Sequence, residues 1–421
     1  LTMVENDDNM YVYYYDLNSN LKQIMDGTMS GVDTFIVYNK ANLPTTYRVK
    51  YDGKSHNYAM SYYLTGQKYR EEDSANNTLK EYYYNSKGQL NMEQAQRDNN
   101  YTIGAEYSYD AGGNRIQKKE HYLETYSTDV TNYTYDANNR LTQTAVIRGI
   151  AIGGDDTAGE VTELTRYYYD DNGNTIAEQN KTYTSDGEQS SGMQLSGRAS
   201  GNSFKLYTYD DFNRLRQYND GSTEAKYAYN ASNLRTSKTV NRKKTDFVWD
   251  GQNLASETTN DVTTVYDYDL TGIIASTVNG EVTKYVKDPH GNVVATSRNG
   301  SIAGEYDYSA FGEQLTATDT TNPFRYCGEY YDNENGLTYL RNRYYDSNTG
   351  RFLSEDPIKD GMNWYSYCGG DPVNAWDPMG LEERYLTELV SETTGTVTWE
   401  GGLKRARVSI GGRTRYYYLK D

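Results

Sequence analysis

The sequence predicts an all-β fold: a long antiparallel ribbon of β-hairpins, spiralling into an open or partial shell and ending in a less regular plug. Three observations predict it. A short Tyr-rich motif recurs through most of the 421 residues. Each copy carries turn-forming residues at a fixed offset from its aromatic pair. No segment of any length competes with a 3.6-residue helical period.

The copies read YYYDLNSNL from Tyr13, YYYNSKGQL from Tyr82, YSYDAGGNRI from Tyr107, YTYDANNRL from Tyr133, YYYDDNGNTI from Tyr167 and YTYDDFNRL from Tyr207. They continue as YAYNASNL from Tyr227, FVWDGQNL from Phe247, YDYDLTGII from Tyr266, YVKDPHGNVV from Tyr285 and YDYSAFGE from Tyr306. The Asp, or the residue replacing it, falls at 210, 230, 250, 269, 288 and 309, a spacing of 19 to 21 residues. Such a repeat holds two strands of roughly 6 to 8 residues plus turns. Earlier the spacing reaches 40, between Asp170 and Asp210, where TSDGEQSSGMQLSGRASGNS reads as an exposed loop.

In each copy Tyr-x-Tyr sets two rings on one face of a strand. The Asp begins an Asx turn, Gly or Asn accepts a positive φ, and the next Leu or Ile starts the return strand. In a triple Tyr the outer two rings share a face and the middle one serves the other. A lone hairpin is marginal in water, so the hairpins must join edge to edge. Only 36% of the chain is hydrophobic but 47 residues are Tyr, and Tyr suits a half-wet face, stacking through its ring while its hydroxyl stays bonded. About 15 hairpins give roughly 30 strands and on the order of 145 Å of ribbon, around one turn of a wide spiral. A β-sandwich or propeller is the alternative, although a propeller wants repeats of about 40 residues.

Composition excludes several function classes. The net charge of -17 opposes nucleic acid and anionic lipid. No apolar run approaches the roughly 20 residues of a membrane-spanning helix. The start LTMVENDDNM shows no signal peptide and reads as the interior of a longer chain. Cys327 and Cys368 have no metal spacing; they are either a pair or free buried thiols. His56, His121 and His290 are isolated and read as surface or turn residues. Acidic turns such as DDNGN, and GGDD at 153–156, lack the spacing of a calcium loop. The expectation is therefore no metal, no cofactor and a monomer.

Composition shifts from Pro289 onward, where five of the six prolines lie, at 289, 323, 357, 372 and 378. Proline is excluded from ladder interiors, so turns should outweigh sheet there. Within this region YYDNENGLTYLRNRYYD, from Tyr330, reads as a hairpin with GLTYLRNRYYD as its return strand, and Arg341, Arg343 and Arg351 bring positive charge near Asp346, Glu355 and Asp356.

These residues carry a resemblance. The Y-x-Y-D-x-x-G-N-L copies resemble the YD repeats of the Rhs family, which includes bacterial polymorphic toxins, the C components of insecticidal toxin complexes and the animal teneurins. Residues 322–381, NPFRYCGEYYDNENGLTYLRNRYYDSNTGRFLSEDPIKDGMNWYSYCGGDPVNAWDPMGL, resemble the repeat-associated core of the bacterial members. The resemblance divides the chain into a repeat array (1–321), a core (322–381) and a variable C-terminal segment (382–421). It implies a shell, secreted or on a bacterial surface, that holds a C-terminal effector until delivery.

The resemblance also implies self-cleavage. Residues 372–381 match P-x-x-x-x-D-P-x-G-L, with Pro372, Asp377, Pro378, Gly380 and Leu381 at the motif positions. An aspartate pair, Asp356 and Asp377, would cut the Leu381–Glu382 bond once, in cis. Two carboxylates of unequal pKa can divide the work, one activating water and the other protonating the leaving amide. Arg351 and Lys359 are the expected cations beside them. The first site reads DPIKDG, with Gly361 displaced from the tighter D-P-x-G form. The contrasting reading takes both Asp-Pro steps as strand ends and the chain as a structural or adhesive surface protein binding carbohydrate or a partner cell.

Residues 382–421 carry a net charge of +1 against -18 for residues 1–381. GTVTWEGGLKRARVSIGGRTRYYYLKD reads as two or three short strands, and is similar to the small N-terminal β-domain of copper amine oxidases. It stands as a truncated effector or a small β-domain.

Overall fold

The computed structural model describes all residues except 1, 7–8, 27–31, 98–99, 124, 152–160, 185–197, 270, 386–396, 401–404, 411–412 and 419–421. Among the described residues one antiparallel sheet holds 30 strands. Each strand pairs with the next in sequence, from Thr2–Asn6 through Gln314–Ala317. The expected hairpin ribbon is present, and it is not closed edge to edge.

The repeat is built by its turn. Asp110, Asp136, Asp170, Asp210 and Asp288 each accept, on one carboxylate oxygen, the backbone N–H four residues on. Residues three positions after the Asp, such as Gly113, Asn139, Gly173, Asn213 and Gly291, have positive φ, which Gly and Asn tolerate best. The aromatic residue before the Asp then stitches repeats together. The hydroxyls of Tyr38, Tyr84, Tyr109, Tyr135, Tyr169, Tyr229 and Tyr308 donate to the backbone carbonyls of Leu21, Lys68, Leu90, Arg115, Leu141, Leu215 and Val293. Those acceptors lie at the return-strand starts of the preceding repeats. The first ring of the pair is buried, as at Tyr13, Tyr107, Tyr207, Tyr227 and Tyr285. Tyr168, the middle ring of its triple, is 45% exposed.

The ribbon passes beyond one turn and meets itself. Ile274 packs against the cluster of Tyr13, Leu21 and Ile24, and Val49, Tyr51 and Tyr58 cluster with Val286 and Ala295. Lys80 bonds Asp307 at 3.0 Å across 227 residues. Residues 322–381 lie against one rim of this spiral, touching the repeat turns in succession. Arg351 reaches Asn114 and the Asn139 carbonyl. Tyr365 donates to the Gly173 carbonyl, Tyr339 to that of Asn233, and Asn292 accepts from the Cys327 N–H. The deepest anchor is Arg235, 1% exposed, paired with buried Asp332 and ringed by Tyr227, Phe247, Tyr330 and Tyr339.

Three expectations need correction. GLTYLRNRYYD is not one return strand: it breaks into Leu337–Leu340 and Arg343–Asp346, which pair with each other through a turn at Arg341 and Asn342. Arg341 takes φ 61° there, so the expected hairpin becomes part of a four-stranded meander. His56 is no surface residue; it is buried in Lys54–Tyr62, bonded to Asp73 and to the Tyr51 hydroxyl at 2.8 Å each. His290 does sit in its turn, but its ring nitrogens are shielded from water. Of the expected loop after Asp170, residues 198–203 belong to the strand Arg198–Tyr209, while 185–197 lie outside the described residues, as does GGDD at 153–156.

Cys327 and Cys368 are free thiols. No helix among the described residues is long and apolar enough to cross a membrane. The C-terminal residues form three antiparallel strands, Val397–Glu400, Arg405–Ile410 and Arg413–Tyr418, the last beside Thr2–Asn6.

Candidate active site

The unforeseen turn at Arg341 and Asn342 builds the site. Its three consecutive residues 341–343 hold three consecutive carbonyls of the D-P-x-G-L segment. Arg341 donates to the Pro378 oxygen at 2.7 Å, the Asn342 amide to Met379 at 2.9 Å, and Arg343 Nε to Gly380 at 2.6 Å. Arg341 is itself held by buried Glu329. The segment lies so close that a Cβ on Gly380 would meet the Leu340 oxygen at 2.9 Å and the Arg343 nitrogen at 3.0 Å. With φ 64° as well, only glycine fits.

Asp356 and Asp377, expected as a pair, are brought together by Arg343. One guanidinium nitrogen lies 3.3 Å from Asp377 and 3.9 Å from Asp356. Both aspartates are buried, and Arg343 also donates to the Trp364 carbonyl and stacks over Phe352 at 3.5 Å. Asp377 Oδ1 accepts the backbone N–H groups of Met379 and Leu381, at 3.2 and 3.0 Å. Asp356 accepts the Ile358 N–H. The Gly380–Leu381 peptide is thus gripped at both ends, its carbonyl by Arg343 and its N–H by Asp377. Leu381 is half-buried and Glu382 exposed.

Burial pushes the Asp377 carboxyl above the ordinary carboxylate range, with Arg343 pulling against it. Burial likewise lowers Arg343. Glu329 is raised to about 7 by burial, opposed by Arg341. The arrangement therefore holds two buried carboxyls, Asp356 and Asp377, with the Arg343 guanidinium between them, a set of groups of the kind that acid–base chemistry on one peptide uses.

The two expected cations stand elsewhere. Arg351 makes no ion pair among the described residues; its guanidinium stacks on Tyr135 and Tyr365 while reaching Asn114 and Asn139, so it anchors core to shell. Lys359 is exposed, 3.8 Å from Glu355 and over the Trp364 ring. Neighbourhood in sequence favoured both over Arg343, because the turn that swings Arg343 inward has Arg rather than Gly or Asn at its positive-φ position. Pro372 is buried in a turn tied to the shell: Asp371 accepts from Gln67, and Asn374 accepts the Lys68 N–H at 2.8 Å. Pro378 follows Asp377 and offers its carbonyl to Arg341. No group of three or more metal-ligating side chains occurs among the described residues.

No protein-family model matches the chain. It is 32% identical over 289 residues to the tRNA nuclease WapA of Bacillus subtilis, covering 63% of the chain and 11% of that protein. It is 28% identical over 276 residues to the double-stranded DNA deaminase toxin A of Burkholderia cenocepacia, covering 52% of the chain and 19% of that protein. Among solved structures, the crystal structure of TcdB2-TccC3-Cdc42 aligns over 89% of the chain and 22% of its own, at 20% identity and a TM-score of 0.45. The chain therefore spans between about a tenth and a quarter of the length of these proteins.

Proposed function

Since the chain belongs to the Rhs/YD-repeat family, with bacterial toxins among its relatives, we propose that it is the shell and core portion of a polymorphic toxin, which holds a C-terminal effector and frees it by one self-cleavage after Leu381. Two relatives named for different chemistries, a tRNA nuclease and a DNA deaminase, match the same chain over more than half its length. That pattern supports a common container with an exchangeable effector. Residues beyond Leu381 are then the start of the effector segment, and the working place of the whole is outside the producing cell or on its surface.

The observation that carries the cleavage reading is the grip of Arg341, Asn342, Arg343 and Asp377 on residues 378–381, immediately before the Leu381–Glu382 bond. In the reaction a water oxygen adds to the Leu381 carbonyl carbon and the C–N bond to Glu382 breaks. The products are a carboxylic acid on Leu381 and an amine on Glu382. Asp356 takes the proton from water and Asp377, whose carboxyl burial pushes above the ordinary carboxylate range, supplies one to the departing nitrogen. Arg343 stabilises the ionised carboxylate and fixes the segment. The same residues act once per chain.

N-terminal sequencing and mass measurement of the C-terminal piece test this. Cleavage before Glu382, abolished by Asp377→Asn and by Asp356→Asn, is the expected result. An intact chain in every preparation would overturn it.

A further inference from the structure

We propose that the two-residue strand Arg384–Tyr385 is a leaving-side tether that positions the Leu381–Glu382 bond for scission. The inference rests on the self-cleavage reading and deepens it. Arg384–Tyr385 pairs antiparallel with Ala375–Trp376, Trp376 opposite Arg384 and Ala375 opposite Tyr385. The segment between the two strands, 377–383, is therefore a closed loop. Asp377 opens that loop, and the bond in question lies within it.

The two sides of the loop are unlike. Val373, Asn374 and Ala375 are buried, and Asn374 is tied to Lys68 and to the Tyr84 hydroxyl of the shell, so Ala375–Trp376 is a fixed rail. Glu382, Glu383 and Arg384 are exposed. Up to the Leu381 N–H, the three carbonyl contacts and Asp377 fix the acyl half of the bond. Beyond it, the pairing with the rail restrains the amine half. A peptide held on one side alone swings about its free dihedrals, whereas one held on both presents its carbonyl in a fixed direction, and misplacement of about 1 Å costs a reaction about a hundredfold. Backbone pairing rather than side-chain recognition does this, so the tether accepts any non-proline residues at 384 and 385.

A time course of cell-free synthesis of the 421-residue chain tests it, with intact mass as the readout. The double variant Arg384→Pro/Tyr385→Pro removes the backbone N–H of each residue, and with them whichever one faces the rail. It is expected to slow scission at least about tenfold and to spread the cut over neighbouring bonds, a change of position that a general loss of stability does not produce. Arg384→Ala/Tyr385→Ala keeps the backbone donors and is expected to cut at the parent rate after Leu381. The same prolines placed in the uncleavable Asp377→Asn chain should leave its thermal midpoint unchanged. A proline variant cut at the parent rate and at one position would overturn the tether alone, as would an alanine variant slowed as much as the proline one. A parent chain that stays uncut would overturn the self-cleavage reading and the tether with it.

Discussion

Arg343 donates a 2.6 Å hydrogen bond from Nε to the Gly380 carbonyl oxygen, while a second nitrogen of the same guanidinium lies 3.3 Å from Asp377. One planar fork thus joins the backbone of the D-P-x-G-L segment to the carboxylates that flank it. A lysine supplies a point charge but not this fork.

Arg343→Lys is therefore expected to lose scission, and Arg343→Ala to lose stability too. With no cation between them, Asp356 and Asp377 are left buried and unpaired, at a cost on the order of 3–5 kcal/mol. Gel analysis of cleavage and thermal unfolding check the two effects. A lysine variant that cleaves like the parent would refute the role given to the fork.

Gly380→Ala meets the Leu340 oxygen and the Arg343 nitrogen and sits at φ 64°. A loss of about 1–3 kcal/mol is expected from the strained backbone, together with loss of cleavage as Leu381 shifts off Asp377. Gly361→Ala has open space around it and strains only an exposed turn, so its cleavage should match the parent's. Equal cleavage by all three chains would show that the close approach at Gly380 does not matter.

Arg235 and Asp332 form a buried pair that pins the core to the shell, with Lys238 at 3.0 Å from the same carboxylate as a second, weaker partner that also holds Glu334. Arg235→Ala should destabilise by about 3–5 kcal/mol, whereas Arg235→Met with Asp332→Leu should recover most of it, since a hydrophobic replacement leaves no unpaired charge. Chemical denaturation of the three chains checks this; a double variant as weak as the single one contradicts it.

His290 is held down to about 3 by burial, from an ordinary 6.5. Above pH 6.5 the ring is neutral folded or unfolded. As pH falls from 6.5 toward 3 the unfolded chain takes a proton that the folded chain refuses, so stability is lost through that window. Asp288, in the same turn, is raised to about 6 by burial and contributes with the opposite slope. The measurement is therefore a difference: His290→Phe should unfold less readily than the parent on acidification, by a few kcal/mol at pH 4. Parallel pH profiles would refute it.

Tyr169 and Tyr168 separate the two jobs of a triple tyrosine. Tyr169→Phe removes the 3.0 Å bond to the Leu141 carbonyl and should cost about 1 kcal/mol. Tyr168→Ser changes a half-exposed ring and should cost less than half as much. Thermal midpoints that rank the other way would overturn the assignment.

The repeat was legible because everything that makes it is local. Asp at one position, Gly or Asn three later and a pair of tyrosines before it determine a hairpin, and successive hairpins, each marginal alone, gain most by pairing edge to edge. Even the plug was marked, by prolines that a ladder does not admit. The sequence also singled out Asp356 and Asp377, through the resemblance their motifs carry, and both are buried beside Arg343.

Only the tertiary structure decided which cation stands between those two carboxylates and where the ribbon meets itself. Arg351 and Lys359 are close to Asp356 along the chain, but each side chain leaves in another direction, one to the shell turns and one to Trp364 and Glu355. Arg343 arrives through a turn whose positive-φ residue is an arginine, a conformation that its own sequence disfavours and that the contacts of Arg341 with Glu329 and Pro378 support. Hydrogen bonds within a repeat are settled by neighbours a few residues away. The site depends on segments between residues 329 and 381 that fold onto one another across tens of residues, and no pattern along the chain encodes that approach.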